Sequence, residues 1–238
     1  MHGILLPKAL TASLLAGAGL ALAAVAGLSG GRSSQELFEE AEIFFEYNDT
    51  DGDLGVHVFL DGENWNKVRL IHPNGKSIFE VKTKGAYEQL GLTELFFEGA
   101  EPSLSVIPLA EMLGKFPEGT YLLKGTTIDG DDITGEAELS HAIPDGPETQ
   151  VRVSPTSVEI SWVPVTGPPM GFPNVPVNVV AYQVLVDEEL AVTLDGSATS
   201  LTLPPEFVDT LEPGEHEYEV LAIDESGNQS ITEDSFFF

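Results

Sequence analysis

The sequence predicts an all-β protein, with two antiparallel β-sandwich domains in tandem behind an N-terminal signal segment. Short segments rich in β-branched and aromatic residues recur along the chain, and turn residues separate them. Only residues 109–116 have helical features, with Pro108 near the start and Pro117 at the end. The 238 residues are enough for one or two domains, each with its own core.

The first β-rich region spans residues 36–143. In residues 136–140 polar and apolar side chains alternate, which places one face of a strand in water and the other on a core. Pairs such as Asp51-Gly52 and Asp61-Gly62 predict turns between the strands, because glycine tolerates positive φ. The predicted strands of this region cover residues 41–47, 56–60, 67–71, 77–82, 120–124 and 136–140.

The first 26 residues have the composition of a secretory signal peptide. Lys8 precedes residues 9–26, which hold no charged side chain and consist mostly of Ala, Leu and Gly. Residues 24–26 fit the small-x-small pattern of a signal peptidase site. We therefore expect a secreted protein, extracellular or periplasmic, in which residues 27–35 form a flexible tether and no stable membrane span remains after cleavage. The alternative is an uncleaved membrane anchor, because the apolar run approaches the ~20 residues that a bilayer requires.

Acidic residues dominate both halves of the chain. It holds 39 Asp and Glu against 10 Lys and Arg, a net charge of −29. Residues 36–143 carry 22 acidic and 7 basic side chains, and residues 144–238 carry 17 and 1. This charge argues against nucleic acid as a partner, because phosphate binding needs a basic face. The lack of cysteine excludes a disulfide, a thiolate zinc site and a cysteine nucleophile.

Residues 141–147 predict a domain boundary. Two prolines and a glycine occur there, where one series of strands ends and another begins. The second domain then spans residues 144–238, and the density of its short strands is typical of a sandwich. Its predicted strands cover residues 157–162, 179–186, 191–194, 200–203, 216–224 and 229–236.

This second region resembles a fibronectin type III domain. The segment Val-Glu-Ile-Ser-Trp ending at Trp162 resembles strand B, and Tyr-Gln-Val-Leu-Val beginning at Tyr182 resembles strand C. Residues 211–228 resemble the E–F corner and strand F. The resemblance implies an immunoglobulin-like sandwich for the second domain. Residues 36–143 carry no such resemblance.

The resemblance also implies structural roles for single residues. Trp162 would fill the space between the sheets, and Leu211 would pack under the corner. Tyr218 would send its hydroxyl to a backbone group near the corner, as in the tyrosine corner of such sandwiches. The loop at residues 164–177, which holds five prolines, departs from the family pattern. The chain has no Arg-Gly-Asp triplet, so integrin binding does not carry over.

Asp49, Asp51 and Asp53 form the strongest candidate metal site. Oxygen ligands on a tight, glycine-containing loop suit calcium, which takes six to eight oxygens. The EF-hand pattern fails, because Leu54 stands at its glycine position and Leu60 at that of its bidentate glutamate. The alternative is a solvated hairpin turn. Calcium is the candidate cofactor, and the sequence indicates no other.

Trp65 is the candidate ligand-binding aromatic residue. It lies in a polar segment, where an exposed indole would stack on a sugar ring. The alternative is that it folds back into the core. The sequence contains no nucleophile elbow, Walker loop, dinucleotide fingerprint or His-Glu-x-x-His motif. We therefore predict no catalytic residues and no enzymatic activity.

These observations together predict a secreted, non-catalytic module that acts as a spacer or an interaction surface for a protein or polysaccharide at the cell exterior. The alternative is an accessory protein whose first domain binds carbohydrate or calcium, through Trp65 and the loop at residues 49–53. A third hypothesis is self-assembly into a surface fibre. The sequence does not determine the oligomeric state.

Overall fold

The computed structural model describes residues 35–238. The predicted signal peptide at residues 1–26 and all but the last residue of the predicted tether at 27–35 lie outside the described residues. The described part consists mostly of β-strands, which confirms the predicted all-β class. Its strands are β1 (Gln35–Leu37), β2 (Glu40–Asn48), β3 (Asp53–Ile71), β4 (Ser77–Lys82), β5 (Leu92–Glu98), β6 (Gly119–Thr127), β7 (Asp132–Leu139), β8 (Thr149–Ser154), β9 (Ser157–Trp162), β10 (Val179–Val186), β11 (Leu190–Asp195), β12 (Ser200–Thr202), β13 (Glu215–Asp224) and β14 (Gln229–Phe237), and its helices are α1 (Ala86–Leu90), α2 (Leu109–Lys115) and α3 (Pro205–Val208).

The β2–β3 hairpin follows the alternation in the sequence. Ile43, Phe45 and Tyr47 are buried in the core of the first region. The intervening side chains of β2 therefore lie on the opposite face of the sheet. Gly52 makes the turn with φ +67°, a conformation that favours glycine over residues with a Cβ atom.

The predicted turn at Asp61-Gly62 is wrong. Both residues lie inside β3, which runs unbroken for 19 residues. The first part of this strand pairs with β2 and β5, and its last part pairs with β4 and β6. Close packing explains the glycine, since a Cβ atom at position 62 would lie 2.7 Å from the Phe38 ring.

Eleven strands form one hydrogen-bonded sheet. Its path is β1-β7-β6-β3-β2-β14-β13-β10-β11, with β4 and β5 also paired to β3, and a second sheet has the order β12-β9-β8. Most neighbours are antiparallel, but β1 pairs with β7 and β2 with β14 in parallel. The prediction of antiparallel sheets throughout is therefore wrong at these two pairs. They join segments that are distant in the chain, where no hairpin imposes opposite directions.

Buried apolar side chains form a separate core in each region. One cluster of buried residues lies within residues 38–143 and another within residues 158–236. The cores therefore divide near the predicted boundary at residue 144. A third, smaller cluster lies on the other face of β10, β13 and β14 and consists of Ala181, Leu185, Leu221, Ile223 and Ile231.

The structural residues named by the fibronectin type III resemblance lie at the second core. Trp162, Tyr182 and Tyr218 are buried there, and Leu211 packs against the cluster while partly exposed. The rings of Trp162 and Tyr182 lie 5.2 Å apart in a tilted arrangement. These aromatic side chains supply much of the volume between the two sheets.

The hydroxyl of Tyr218 has different partners from those that the resemblance implies. It lies 3.1 Å from the Thr149 side-chain oxygen and 3.4 Å from an Asp234 carboxylate oxygen. Asp234 is on the neighbouring strand β14 and Thr149 is on β8 of the second sheet, so the hydroxyl joins the two sheets. The expectation of a backbone acceptor near the corner is therefore corrected.

Direct contacts join the two regions across the predicted boundary. Next to the β2–β14 pairing, the Asp49 amide donates to the Ile231 carbonyl at 2.9 Å. From the long loop at residues 164–177, Phe172 packs on Tyr47 with ring centroids 4.9 Å apart. The main sheet thus continues from one region into the other, where the sequence predicts two separate sandwiches.

The other elements agree with the prediction in part. Helix α2 closely matches the predicted helix at residues 109–116. Strands β1, β5 and β8, and the short helices α1 and α3, have no counterpart among the predicted elements. Within residues 35–238, none of the helices has the length and apolarity needed to cross a membrane.

Candidate functional site

A cluster of one histidine and two glutamates lies where the two regions meet. Glu46 is on β2, His57 is on β3, and Glu101 follows β5. In the β2–β3 register, Phe44 pairs with His57 and Glu46 with Gly55, so the Glu46 and His57 side chains share one face. The segment after β5 then brings Glu101 over this face.

The polar atoms of the cluster converge on a small volume. Nε2 of His57 lies 3.4 Å from Oε1 of Glu101 and 3.8 Å from Oε1 of Glu46. All three potential ligand atoms lie within 4.8 Å of one another. The Gln229 side chain on β14 donates a hydrogen bond to the second oxygen of Glu46, Oε2. The cluster therefore draws side chains from both regions.

A glycine makes room for one of the carboxylates. A Cβ atom at Gly55 would lie 2.6 Å from both Cγ and Oε1 of Glu101. Any side chain at position 55 would therefore displace the Glu101 side chain from its place above β3.

Burial and mutual repulsion change the ionisation of the cluster. The pKa of Glu46 is raised to about 7, chiefly by burial and further by the charges of Glu101 and Glu98, although His57 and Gln229 oppose the change. Burial alone would lower the pKa of His57, but its hydrogen bond with Glu101 and the nearby carboxylates together raise it.

Aromatic rings enclose the imidazole. The rings of Phe44 and Phe96 lie 5.2 Å and 5.6 Å from the His57 ring, and only 6% of the His57 side chain is exposed. An imidazole held between carboxylates in a largely dry environment can retain protons or bind a cation.

The structure does not bring together the predicted calcium ligands. Asn48 Oδ1 accepts hydrogen bonds from the amides of Thr50 and Asp51, which forms an Asx turn at the end of the hairpin. Among residues 35–238, the three cluster side chains described above are the one group of three His, Asp or Glu ligand atoms within 4.8 Å. Asp49, Asp51 and Asp53 do not form such a group, and calcium binding by this loop stays a prediction.

Trp65 does not provide a binding platform. Its side chain is 0% exposed and lies in the core of the first region. Its Nε1 has no hydrogen-bond partner among the residues that the structure describes. The prediction of a sugar-stacking indole is therefore wrong, and the core alternative agrees with the structure, because shifts in the register of β3 on both sides of Trp65 turn this side chain inward.

A second feature is a concentration of positive charge on one face of β3, β4 and β6. In the register of these strands, Lys67 lies opposite Lys82 and Arg69 lies opposite Lys124, so all four point to one face. We call these four residues the cationic strip. They are half of the eight Lys and Arg residues at positions 35–238.

The cationic strip borders an open groove. The groove has a volume of about 310 Å³, and its lining includes Lys67, Arg69 and Lys124. Glu80 lies between two of the cations, with Oε2 3.2 Å from Lys67 Nζ and 3.9 Å from Arg69 Nε. The strip is thus only partly neutralised by its neighbours.

Sequence reasoning missed both features. Lys67 and Arg69 are two residues apart in a predicted strand, so their side chains are expected on the same face of the sheet. This spacing could have predicted part of the cationic strip. The Asp51-Gly52 turn fixes which residues of β2 and β3 lie opposite each other. From this register, the shared face of Glu46 and His57 could have been predicted. No comparable signal places Glu101 or Gln229 beside them, because they come from distant parts of the chain.

Comparisons with known proteins give no family assignment. No protein-family model matches the chain, and no curated protein matches it. Similar solved structures include the spore cortex lytic enzyme SleM of Clostridium perfringens, with 18% identity and a TM-score of 0.33 over 40% of this chain and 28% of that chain.

Two adhesin structures are also similar at this level. A tetra-tandem repeat from the extending region of a large adhesion protein has 13% identity and a TM-score of 0.30, over 84% of this chain and 49% of that chain. A 1.5-MDa bacterial ice-binding adhesin has 11% identity and a TM-score of 0.26, over 87% and 65%. The chain spans less than two thirds of each of these three structures. Likenesses this distant carry no functional argument.

Proposed function

We propose that the protein is a non-catalytic interaction module of the cell exterior that binds an acidic polysaccharide through the cationic strip. The observation that carries the proposal is the clustering of half of the described Lys and Arg residues on one sheet face, in a chain of net charge −29. The composition of residues 1–26 supports an exported protein.

Electrostatics limits where an anionic polymer can approach. The acidic surface repels such a polymer over most of the molecule, and at physiological salt this repulsion extends only about 8 Å. Arg69 on β3 and Lys124 on β6 are paired across adjoining strands, about 5 Å apart in the hydrogen-bonding direction, and Lys67 lies two residues before Arg69 on the same face of β3. A polymer with one anionic group per sugar would meet several of these cations at once.

The chemistry of the groove favours a polysaccharide over a protein. Protein interfaces depend on buried aromatic and apolar anchors at their centre. The groove is lined instead by three cations, the Asp132 carboxylate, two threonines and a glycine. An acidic protein partner is the competing outcome of the test below.

Binding of polygalacturonate at physiological salt tests the proposal, with neutral dextran as the negative ligand. We expect the double variant Arg69→Ala, Lys124→Ala to weaken binding at least tenfold. Arg152→Ala is the matched control, because it removes an exposed cation on β8 that pairs with Glu159 outside the strip. Glu80→Gln should strengthen binding, since it removes the carboxylate that competes for Lys67 and Arg69.

The proposal fails if polygalacturonate does not bind, or if the Arg69→Ala, Lys124→Ala variant and Arg152→Ala weaken binding equally. Binding of poly-glutamate without binding of polygalacturonate would instead indicate an acidic protein partner and would refute the polysaccharide.

A role as a structural spacer is the second candidate function. The parallel pairing of β2 with β14 and the packing of Phe172 on Tyr47 support it, because both fix one region against the other. Small-angle scattering that fits a single rigid particle at low and high salt would support the spacer. Independent motion of the two regions would exclude it.

A further inference from the structure

We propose that Glu46, His57 and Glu101 bind a divalent transition-metal ion, for which zinc is the best fit. This inference is independent of the proposed function, because the cationic strip and the polysaccharide play no part in it. It rests on the geometry of the three side chains, the type of their ligand atoms and the groups that hold them.

The distances match the edges of a tetrahedral zinc site. Zinc binds histidine nitrogen and carboxylate oxygen at about 2.0–2.2 Å, so two ligand atoms of a tetrahedron lie roughly 3.3–3.5 Å apart. Nε2 of His57 lies 3.4 Å from Glu101 Oε1 and 3.8 Å from Glu46 Oε1. The oxygens of Glu46 and Glu101 also lie within 4.8 Å of each other, so a closer approach of the carboxylates would place all three ligand atoms around one ion, with water as a fourth ligand.

The ligand types select among metals. Calcium and magnesium take oxygen ligands almost exclusively, so an imidazole at the centre of the set disfavours them. Two carboxylates with one histidine suit zinc and its first-row neighbours. Because the chain has no cysteine, softer thiolate coordination cannot compete for the ion.

Neighbouring groups orient the ligands as metal sites require. Gln229 donates to Oε2 of Glu46 and thereby leaves Oε1 directed at the imidazole. The rings of Phe44 and Phe96 pack beside His57 and restrict its rotation. Supporting contacts of this kind fix metal ligands and strengthen binding by about 10- to 100-fold.

Zinc titration of the full chain by calorimetry tests the proposal. We expect binding of one Zn²⁺ per chain, no comparable binding of Ca²⁺ or Mg²⁺, and a rise in melting temperature with zinc concentration, because the ion binds the folded state. His57→Gln and Glu101→Gln should each weaken zinc binding at least tenfold. The matched controls His72→Gln and Glu136→Gln, which lie outside the cluster, should leave it unchanged.

Gly55→Ala keeps the proposal testable if the ligand variants fold poorly. The new methyl group would displace the flexible end of Glu101 without removing any ligand. We expect weaker zinc binding with little change in metal-free stability. The proposal is overturned if wild-type protein binds no zinc, or if Glu101→Gln and Gly55→Ala bind it as tightly as the controls do.

Discussion

The Asn228 side chain joins the two β-rich regions by accepting a hydrogen bond from the backbone amide of Phe45 at 2.8 Å. Its Nδ2 donates to the carbonyl oxygens of Ser140 and Ala142 at 2.9 and 3.0 Å. Asn228 is fully buried in the turn before β14. One amide from the second region therefore satisfies three backbone groups of β2 and the connecting segment.

Replacement of this amide should destabilise the protein. Asn228→Ala leaves buried backbone groups unpaired, each at a cost of about 1–3 kcal/mol, so we expect a loss of roughly 3 kcal/mol or more in the free energy of unfolding. Denaturant unfolding measures the loss, with Asn74→Ala in an exposed turn as the control. A loss below about 1 kcal/mol would mean that water replaces the side chain.

The free energy of unfolding should fall as pH rises above the ordinary histidine pKa of about 6.5. The pKa of His216 is raised chiefly by its hydrogen bond with Asp187, and its other ring nitrogen faces the Glu212 carbonyl. Both partners accept hydrogen bonds, so the folded state favours the protonated ring. This stabilisation is complete below the unfolded pKa of about 6.5 and is lost as pH rises through the raised folded pKa.

Glu46 contributes to the same trend. Its folded pKa of about 7 lies above the ordinary 4.5, so the folded state holds a proton that the unfolded state releases. Its ionisation therefore lowers stability as pH rises between these two values. Asp187→Asn should reduce the slope of stability against pH above about 6.5, and Asp209→Asn should not. Stability that rises with pH over this range would contradict the assignment.

Because Trp65 lies in the core, Trp65→Ala should lower the free energy of unfolding much more than Trp65→Phe does. Trp65→Ala should cost about 3–5 kcal/mol, because it removes a fully buried aromatic side chain. Trp65→Phe should cost much less, since it keeps aromatic packing and removes an indole N–H without a partner among the described residues. Equal losses in denaturant unfolding would show that the indole nitrogen has an important contact.

Local sequence patterns predicted local structure well. Ile43, Phe45 and Tyr47 alternate with polar residues, and the adjoining Asp51-Gly52 turn closes the predicted hairpin. The error at Asp61-Gly62 arose because glycine has two uses: it permits a turn, and it permits close packing against a ring such as that of Phe38. The residue type alone does not distinguish them.

Contacts between distant segments were beyond such reasoning. The parallel pairing of β2 with β14 joins positions 183 residues apart, as at Glu46 and Gln229. Glu101 belongs to a connection without alternation, so nothing local places it over His57. The candidate metal site depends on both contacts, so local sequence patterns do not predict it.

The two tryptophans offer the most direct test of the central claim, that one sheet joins both regions into a single cooperative unit. Trp65 lies in the first core and Trp162 lies in the second. The Trp162→Phe variant keeps Trp65, so its fluorescence reports on the first core, and the Trp65→Phe variant reports in the same way on the second core. We predict that denaturant unfolding of each variant, followed by its remaining tryptophan and by circular dichroism, gives coincident transitions. Two separate transitions, with one core melting while the other persists, would contradict the claim.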